Sequence, residues 1–236
     1  MSLRDVYMRI TRQRIESTLL YRFVTGCLLA ACWISGFQLC FGQTLKDDLL
    51  QRRVTLHVKD GTLLEALGRL AGEESIPIGW ELSQSDLVNH NISIDLIKVP
   101  LKDVLDRLVL ADSAYQWKLE DGVINFYPAF DRDARLQEFL SLRIKEFNPP
   151  KGLSVFAFRD AVLDLPEVQK FLLSNGLEAS HSGNCCGGGI SYVTRDFRTA
   201  NAELRSILNE LIRDGHLRMW TLSRNGESRQ FVHLSL

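Results

Sequence analysis

Two adjacent cysteines are the residues of this chain best suited to chemistry. Cys185 and Cys186 stand in a glycine-rich segment, and His181 lies just before them. Neighbouring thiols in an oxidising compartment do not both stay free, so they predict a vicinal disulfide, pairing between chains or a redox switch. Together with His181 they could bind a metal, although adjacent cysteines and one histidine suit tetrahedral ligation poorly. The two structural alternatives, the vicinal disulfide and pairing between chains, are favoured.

Other patterns that indicate catalysis are missing from the sequence. The histidines do not pair with one another at metal-ligand spacing; they are His57, His90, His181, His216 and His233. No nucleophile motif of the Gly-x-Ser-x-Gly type, no zinc-protease histidine pair and no phosphate-binding loop occurs. The sequence therefore predicts a protein that is not an enzyme and that has no cofactor.

Three tryptophans follow three helical patterns at nearly constant distance. Apolar residues recur at i, i+3, i+4, i+7 and i+8 from Leu63, Leu101 and Leu204, which indicates one buried stripe on each of three helices. A tryptophan follows the first residue of each stripe by 17, 16 and 16 positions, namely Trp80, Trp117 and Trp220. A supersecondary unit that is used repeatedly explains this spacing. The tryptophans are interpreted as structural residues rather than as a ligand platform.

Strand and turn patterns surround these helices. Apolar and polar residues alternate over residues 54–58 and 92–96, which predicts two half-buried strands. Asp121-Gly122 lies between two apolar-rich runs, a strong signal for a β-hairpin. Thr62 and Glu65 have the spacing of a capping box. The predicted order over residues 51–130 is therefore β-α-β followed by β-α-β-β, an α+β fold.

Residues 51–128 resemble the secretin and TonB short N-terminal (STN) domain. The resemblance is carried by residues 54–67, by residues 92–96 with residues 99–105, and by the closing hairpin of residues 115–127. It implies a small extracytoplasmic module that contacts other proteins and brings no catalytic residues. Residues 140–236 are interpreted as a second, diverged copy, joined to the first by a linker over residues 129–139.

The first residues predict export. Arginines dominate residues 1–22, and an uncharged, mostly apolar stretch follows over residues 23–45. This pattern is typical of a signal peptide that is cleaved near residue 42. Two alternatives stay open: an uncleaved membrane anchor, and a lipoprotein signal in which Cys32 is acylated. All three place the protein in the periplasm or cell envelope of a Gram-negative-type bacterium.

Composition and charge limit the partners. The chain is 45% hydrophobic and 24% charged, with a formal net charge of −1, and its basic residues are scattered. These are values of a folded domain without the basic footprint of nucleic-acid binding.

The resemblance implies a secretin, a receptor or an anti-sigma-type regulator as the partner. The favoured function is thus a non-catalytic envelope protein that binds another protein, accessory to outer-membrane secretion or TonB-linked signalling and transport. The other hypothesis is a thiol-redox or metal-binding envelope protein that uses Cys185 and Cys186.

Overall fold

Helices and strands follow one another in the order that the sequence predicts for residues 51–130. The computed structural model describes residues 48–82, 91–130, 132–180, 192–193, 196–214, 217–225 and 230–236. The strands in these ranges are β1 (Arg53–Gly61), β2 (Ile78–Glu81), β3 (Ile92–Pro100), β4 (Tyr115–Glu120), β5 (Val123–Pro128), β6 (Arg143–Phe147), β7 (Leu153–Ser154), β8 (Leu177–Ser180), β9 (Tyr192–Val193), β10 (Thr199–Glu203), β11 (Met219–Asn225) and β12 (Gln230–Ser235). The helices are α1 (Leu63–Gly72), α2 (Leu101–Ala111), α3 (Ala134–Leu140), α4 (Val155–Leu163), α5 (Pro166–Ser174) and α6 (Leu204–Asp214).

Local sequence signals explain the first elements, and the predicted α+β fold is confirmed. The Thr62 hydroxyl accepts a hydrogen bond from the Glu65 N–H at 3.2 Å, which caps the start of α1. Asp121 and Gly122 have φ angles of 53° and 77°, as a tight turn between β4 and β5 requires. Leu101, Leu105 and the other apolar residues of the predicted α2 stripe are buried up to Leu108.

One mixed sheet of six strands has the order β4-β5-β2-β11-β12-β8. The hairpin β4-β5 is antiparallel, and β2 lies parallel to β5. The hairpin β11-β12 is likewise antiparallel, and β8 lies parallel to β12. The sheet is therefore the same three-stranded arrangement twice, and the parallel pair β2-β11 joins the two copies. We call residues 53–128 the first module, residues 143–235 the second module, and the β2-β11 pair the joint.

Smaller sheets strengthen the correspondence. Strands β1 and β3 form an antiparallel pair in the first module, and β6 and β10 form one in the second. Helix α2 follows β3 directly, as α6 follows β10. Two apolar cores lie beneath these elements: the one in the first module is built around α1 and α2, and the other around α3 to α6. The described strands of residues 140–236, where a diverged second copy is predicted, thus pair as those of the first module do, apart from the additional pair β7-β9.

The segment predicted as a linker, residues 129–139, contains a helix, and one sheet joins the strands on either side of it. Most of residues 129–139 belong to α3, where Leu136, Phe139 and Leu140 are buried. Asp133 caps this helix by accepting the Arg135 N–H at 2.9 Å. Residues Leu49–Leu236 pack as one compact unit, and the six-stranded sheet runs through both predicted domains.

The predictions for residues 1–42, including cleavage, anchoring and acylation of Cys32, lie outside the described residues. Within the ranges that the structure describes, no helix has the length and apolar character to cross a membrane.

Candidate functional site

Two of the three tryptophans occupy equivalent places in the two modules. The Trp117 indole N–H donates to Asp106 Oδ1 at 3.1 Å, and the Trp220 indole N–H donates to Asn209 Oδ1 at 2.9 Å. Both acceptors lie on the preceding helix, eleven residues before the tryptophan. Each hydrogen bond fixes the indole of a hairpin strand against its helix, in α2–β4 and in α6–β11.

Trp80 differs from the other two tryptophans. It lies on β2, the strand parallel to the hairpin, and is buried edge-on against Tyr115 with ring centroids 5.8 Å apart. At the α1 position that corresponds to Asp106 and Asn209 the chain has Gly68, which has no side chain to accept a bond. The Trp80 indole nitrogen has no hydrogen-bond partner among the described residues. The predicted repeat therefore holds for the order of helix and tryptophan-bearing strand, but the shared hydrogen bond links Trp117 and Trp220 alone among the three.

The joint covers Trp220 completely. Gly79 is the register partner of Trp220, and the Trp220 side chain is 0% exposed. A Cβ atom added at Gly79 would lie 2.4 Å from Cζ2 of that indole. Because real Cβ contacts are much longer, the joint requires glycine at this position. The Ile78 N–H donates to the Arg218 carbonyl at 2.8 Å and ties the start of β2 to β11.

A buried carboxylate fixes the other end of the joint. The Glu81 residue is 1% exposed. Its Oε1 accepts a hydrogen bond from Arg132 Nη2 at 2.8 Å and forms an ion pair with Arg205 Nη2 at 2.6 Å. Its Oε2 accepts hydrogen bonds from Arg132 Nε at 3.2 Å and from Gln137. We call Glu81, Arg132, Arg205 and Gln137 the ion cluster. It ties β2 of the first module to α3 and α6, a structural role that needs no access for a substrate.

Among the described strands, β4 is the last of the sheet on the side opposite the second module. The Ile124 N–H donates to the carbonyl just before β2 at 3.0 Å, so the backbone of Ile124 faces β2. Backbone directions alternate along a strand, so Asn125 faces β4 and its register partner Lys118 faces β5. The N–H and C=O groups of Trp117 and Leu119 therefore point away from the sheet. We call this side of β4 the open edge.

Polar side chains flank the open edge. Lys102, on α2, donates to Asp106 Oδ2 at 2.6 Å, while Asp106 Oδ1 accepts the Trp117 indole N–H. The hydrogen bond to Asp106, together with the charge of that carboxylate, raises the pKa of Lys102 above its ordinary value. On β4 itself, the hydrogen bond to Glu120 and its charge raise the pKa of Lys118 in the same way. Both lysines therefore stay cationic at neutral pH.

An open groove of about 550 Å³ lies along β1 and β3. His57 Nδ1 and Asp95 Oδ1 are 2.6 Å apart across the two strands, and both side chains are largely exposed. The nearby Ser93 hydroxyl donates to Asp60 Oδ1 at 3.1 Å rather than to the imidazole. Ser93 and His57 therefore do not form a nucleophile and base pair, and the groove is interpreted as a solvated surface that the contact between His57 and Asp95 crosses.

The remaining predicted site residues are not placed by the structure. Cys185, Cys186 and His181 fall in residues 181–191, outside the described residues, so their disulfide, redox and metal alternatives stay predictions. Within the described residues, no group of His, Cys, Asp and Glu side chains is arranged to hold a metal ion.

Sequence reasoning missed Gly79 and Glu81. A glycine inside a strand pattern, between Ile78 and Trp80, is a known signal for close approach of another backbone or side chain. No such signal marks Glu81, because a carboxylate at the end of a strand is usually solvated.

Comparison of the chain with known proteins does not identify its family. No protein-family model, no curated protein and no solved structure matches it. The resemblance of residues 51–128 to the STN domain therefore stays a prediction.

Proposed function

We propose that this protein is a non-catalytic interaction protein of the cell envelope, which binds another protein by adding a strand to its open edge. One observation carries the proposal. The equivalent edge in the second module, on β11, is covered by β2, whereas no strand of the described residues pairs with the outward backbone groups of Trp117 and Leu119 on β4. An exposed strand edge is a template for a partner strand and needs no reactive side chain.

The cellular setting is proposed from the sequence. The arginine-rich start and the apolar stretch over residues 23–45 support export to the periplasm or envelope. The STN resemblance supports a role accessory to outer-membrane secretion or to TonB-linked signalling and transport. A secretin, a receptor or an anti-sigma-type regulator is then the kind of protein that supplies the partner strand.

Site-specific cross-linking in intact cells tests this function. A photo-reactive residue at Gln116, which is exposed on β4, is expected to give one specific adduct that mass spectrometry identifies as an envelope protein. The same residue at Lys170, exposed on α5 of the second module, serves as the matched control and is expected to give none.

A second variant connects the adduct to the open edge. Leu119→Pro removes an N–H that points away from the sheet, so the fold is expected to persist while the adduct disappears. Circular dichroism checks that the variant melts as the parent chain does. Equal adducts from Gln116 and Lys170, or an adduct that survives Leu119→Pro, would contradict the proposed function.

A further inference from the structure

We propose that the open edge accepts a strand parallel to β4, with a glycine facing Trp117 and a carboxylate two residues later that pairs with Lys102. This inference rests on the proposed function and specifies the chemistry of its partner. The inference is drawn from the joint, where β2 is itself a parallel strand on the equivalent edge of the second module.

The two edges correspond residue by residue. Lys102, Asp106 and Trp117 follow Leu101 at the same distances at which Arg205, Asn209 and Trp220 follow Leu204. The indole N–H is bound in the same way on both sides, by Asp106 and by Asn209. The second residue of each helix is therefore a cation, and an indole lies on each following strand at the same distance along the chain.

Strand β2 shows what fits such an edge. It runs parallel to β11, places Gly79 opposite Trp220 and places Glu81 two residues further on. The glycine leaves room for the indole, since a Cβ atom there would lie 2.4 Å from the ring. The Glu81 carboxylate forms an ion pair with Arg205 at 2.6 Å. Parallel direction, glycine and carboxylate are thus the three features of the occupant.

The open edge has an indole and a cation at the same positions, but both are more exposed to solvent. Trp117 is half-buried, whereas Trp220 under β2 is fully buried. An added strand would supply the missing cover for the Trp117 ring. Lys102 is already paired with Asp106 and about half exposed, so its contact with the incoming carboxylate is weaker than that of Arg205 with Glu81.

The occupant is a strand of another polypeptide. Within one copy of the chain, β2 is held between β5 and β11 in the middle of the sheet, so it is not available to a second copy. The chemistry that the edge selects is therefore a short apolar strand with an internal glycine and a following Asp or Glu.

A peptide with the sequence of residues 76–82, Ile-Pro-Ile-Gly-Trp-Glu-Leu, serves as the probe. Carrying a fluorescein label, it is titrated with the full chain and binding is followed by fluorescence anisotropy. Saturable binding is expected, and the Gly79→Val peptide is expected to bind about tenfold more weakly or worse, because its side chain meets the Trp117 indole. The Glu81→Lys peptide should bind about two- to fivefold more weakly, the size of an exposed ion pair.

Two variants of the full chain locate the binding. Leu119→Pro is expected to abolish it, which excludes displacement of β2 from the joint as the cause. Lys102→Glu is expected to reverse the charge preference, so that the Glu81→Lys peptide binds better than the parent peptide.

The inference is overturned if no peptide binds saturably, if the Gly79→Val peptide binds as well as the parent, or if Leu119→Pro has no effect. It is also overturned if the chain self-associates and the peptide competes with that association, since a second copy would then be the occupant. If one of these results is obtained while Gln116 still gives its adduct with an envelope protein in cells, the proposed function stands. Only the inference of a parallel, glycine-bearing partner strand is then excluded.

Discussion

Replacing Gly79 with valine is expected to lower the free energy of unfolding by about 3 kcal/mol or more, the upper range for overpacking a core. The added Cβ alone would lie 2.4 Å from Cζ2 of Trp220 and 2.7 Å from Oδ1 of Asn125. Neither neighbour can retreat easily, because both are fully buried or nearly so and Trp220 is bound to Asn209. The midpoint of urea unfolding measures the loss.

Gly68→Ala provides the matched control for this prediction. Gly68 is exposed in α1, and no heavy atom lies within 4 Å of a Cβ added there. This change is expected to raise stability by about 0.5–1 kcal/mol, since glycine weakens a helix interior. If Gly79→Val unfolded at the same urea concentration as the parent chain, β2 and β11 would not meet as described.

Glu81→Leu is expected to cost about 3–5 kcal/mol, the range for removing one partner of a buried ion pair. The leucine would leave the guanidinium groups of Arg132 and Arg205 facing each other without their shared carboxylate. The lower end of the range is expected, because the Arg132 side chain is 35% exposed and can turn to water. Thermal and urea unfolding measure the effect.

Two further variants separate the charge effect from a general loss of packing. Glu120→Gln removes a carboxylate from a surface pair with Lys118 and is expected to leave the midpoint of urea unfolding nearly unchanged. Combining Glu81→Leu with Arg205→Met should recover part of the loss, since the uncompensated cation is removed as well. Equal losses for Glu81→Leu and Glu120→Gln would show that the ion cluster does not hold the modules together.

Local elements of this fold were predictable because their signals lie close together in the sequence. The apolar stripe from Leu101 to Leu108 is complete within two turns and needs no knowledge of what covers it. The turn at Asp121-Gly122 depends on the backbone freedom of two residues. For these elements the tertiary structure agrees with the local preference.

Helix α3 was missed although a local signal was present. Leu136, Phe139 and Leu140 have helical spacing after the N-cap Asp133. The charged residues just before them favoured a linker, and a helix of seven residues offers a short pattern. Its stability comes from packing into the core of the second module, which the sequence alone does not reveal.

The joint was not predictable for a different reason. Long-range packing decides which strands become neighbours in a mixed sheet. The residues of β2 and β11 themselves do not show that these two strands pair. Gly79 carries a faint signal, as a glycine within a strand, but Glu81 gains its meaning only beside Arg132 and Arg205. The candidate edge on β4 emerges only by comparison with the covered edge on β11.

Amide hydrogen exchange of the full chain tests the central claim, that β4 and β11 are equivalent edges of which β2 covers only one. The amides of Trp220 and Leu222 face β2 and are expected to exchange on the order of a thousandfold more slowly than those of Trp117 and Leu119. NMR spectroscopy resolves the four amides individually. Equal protection at all four positions, whether all fast or all slow, would contradict the account.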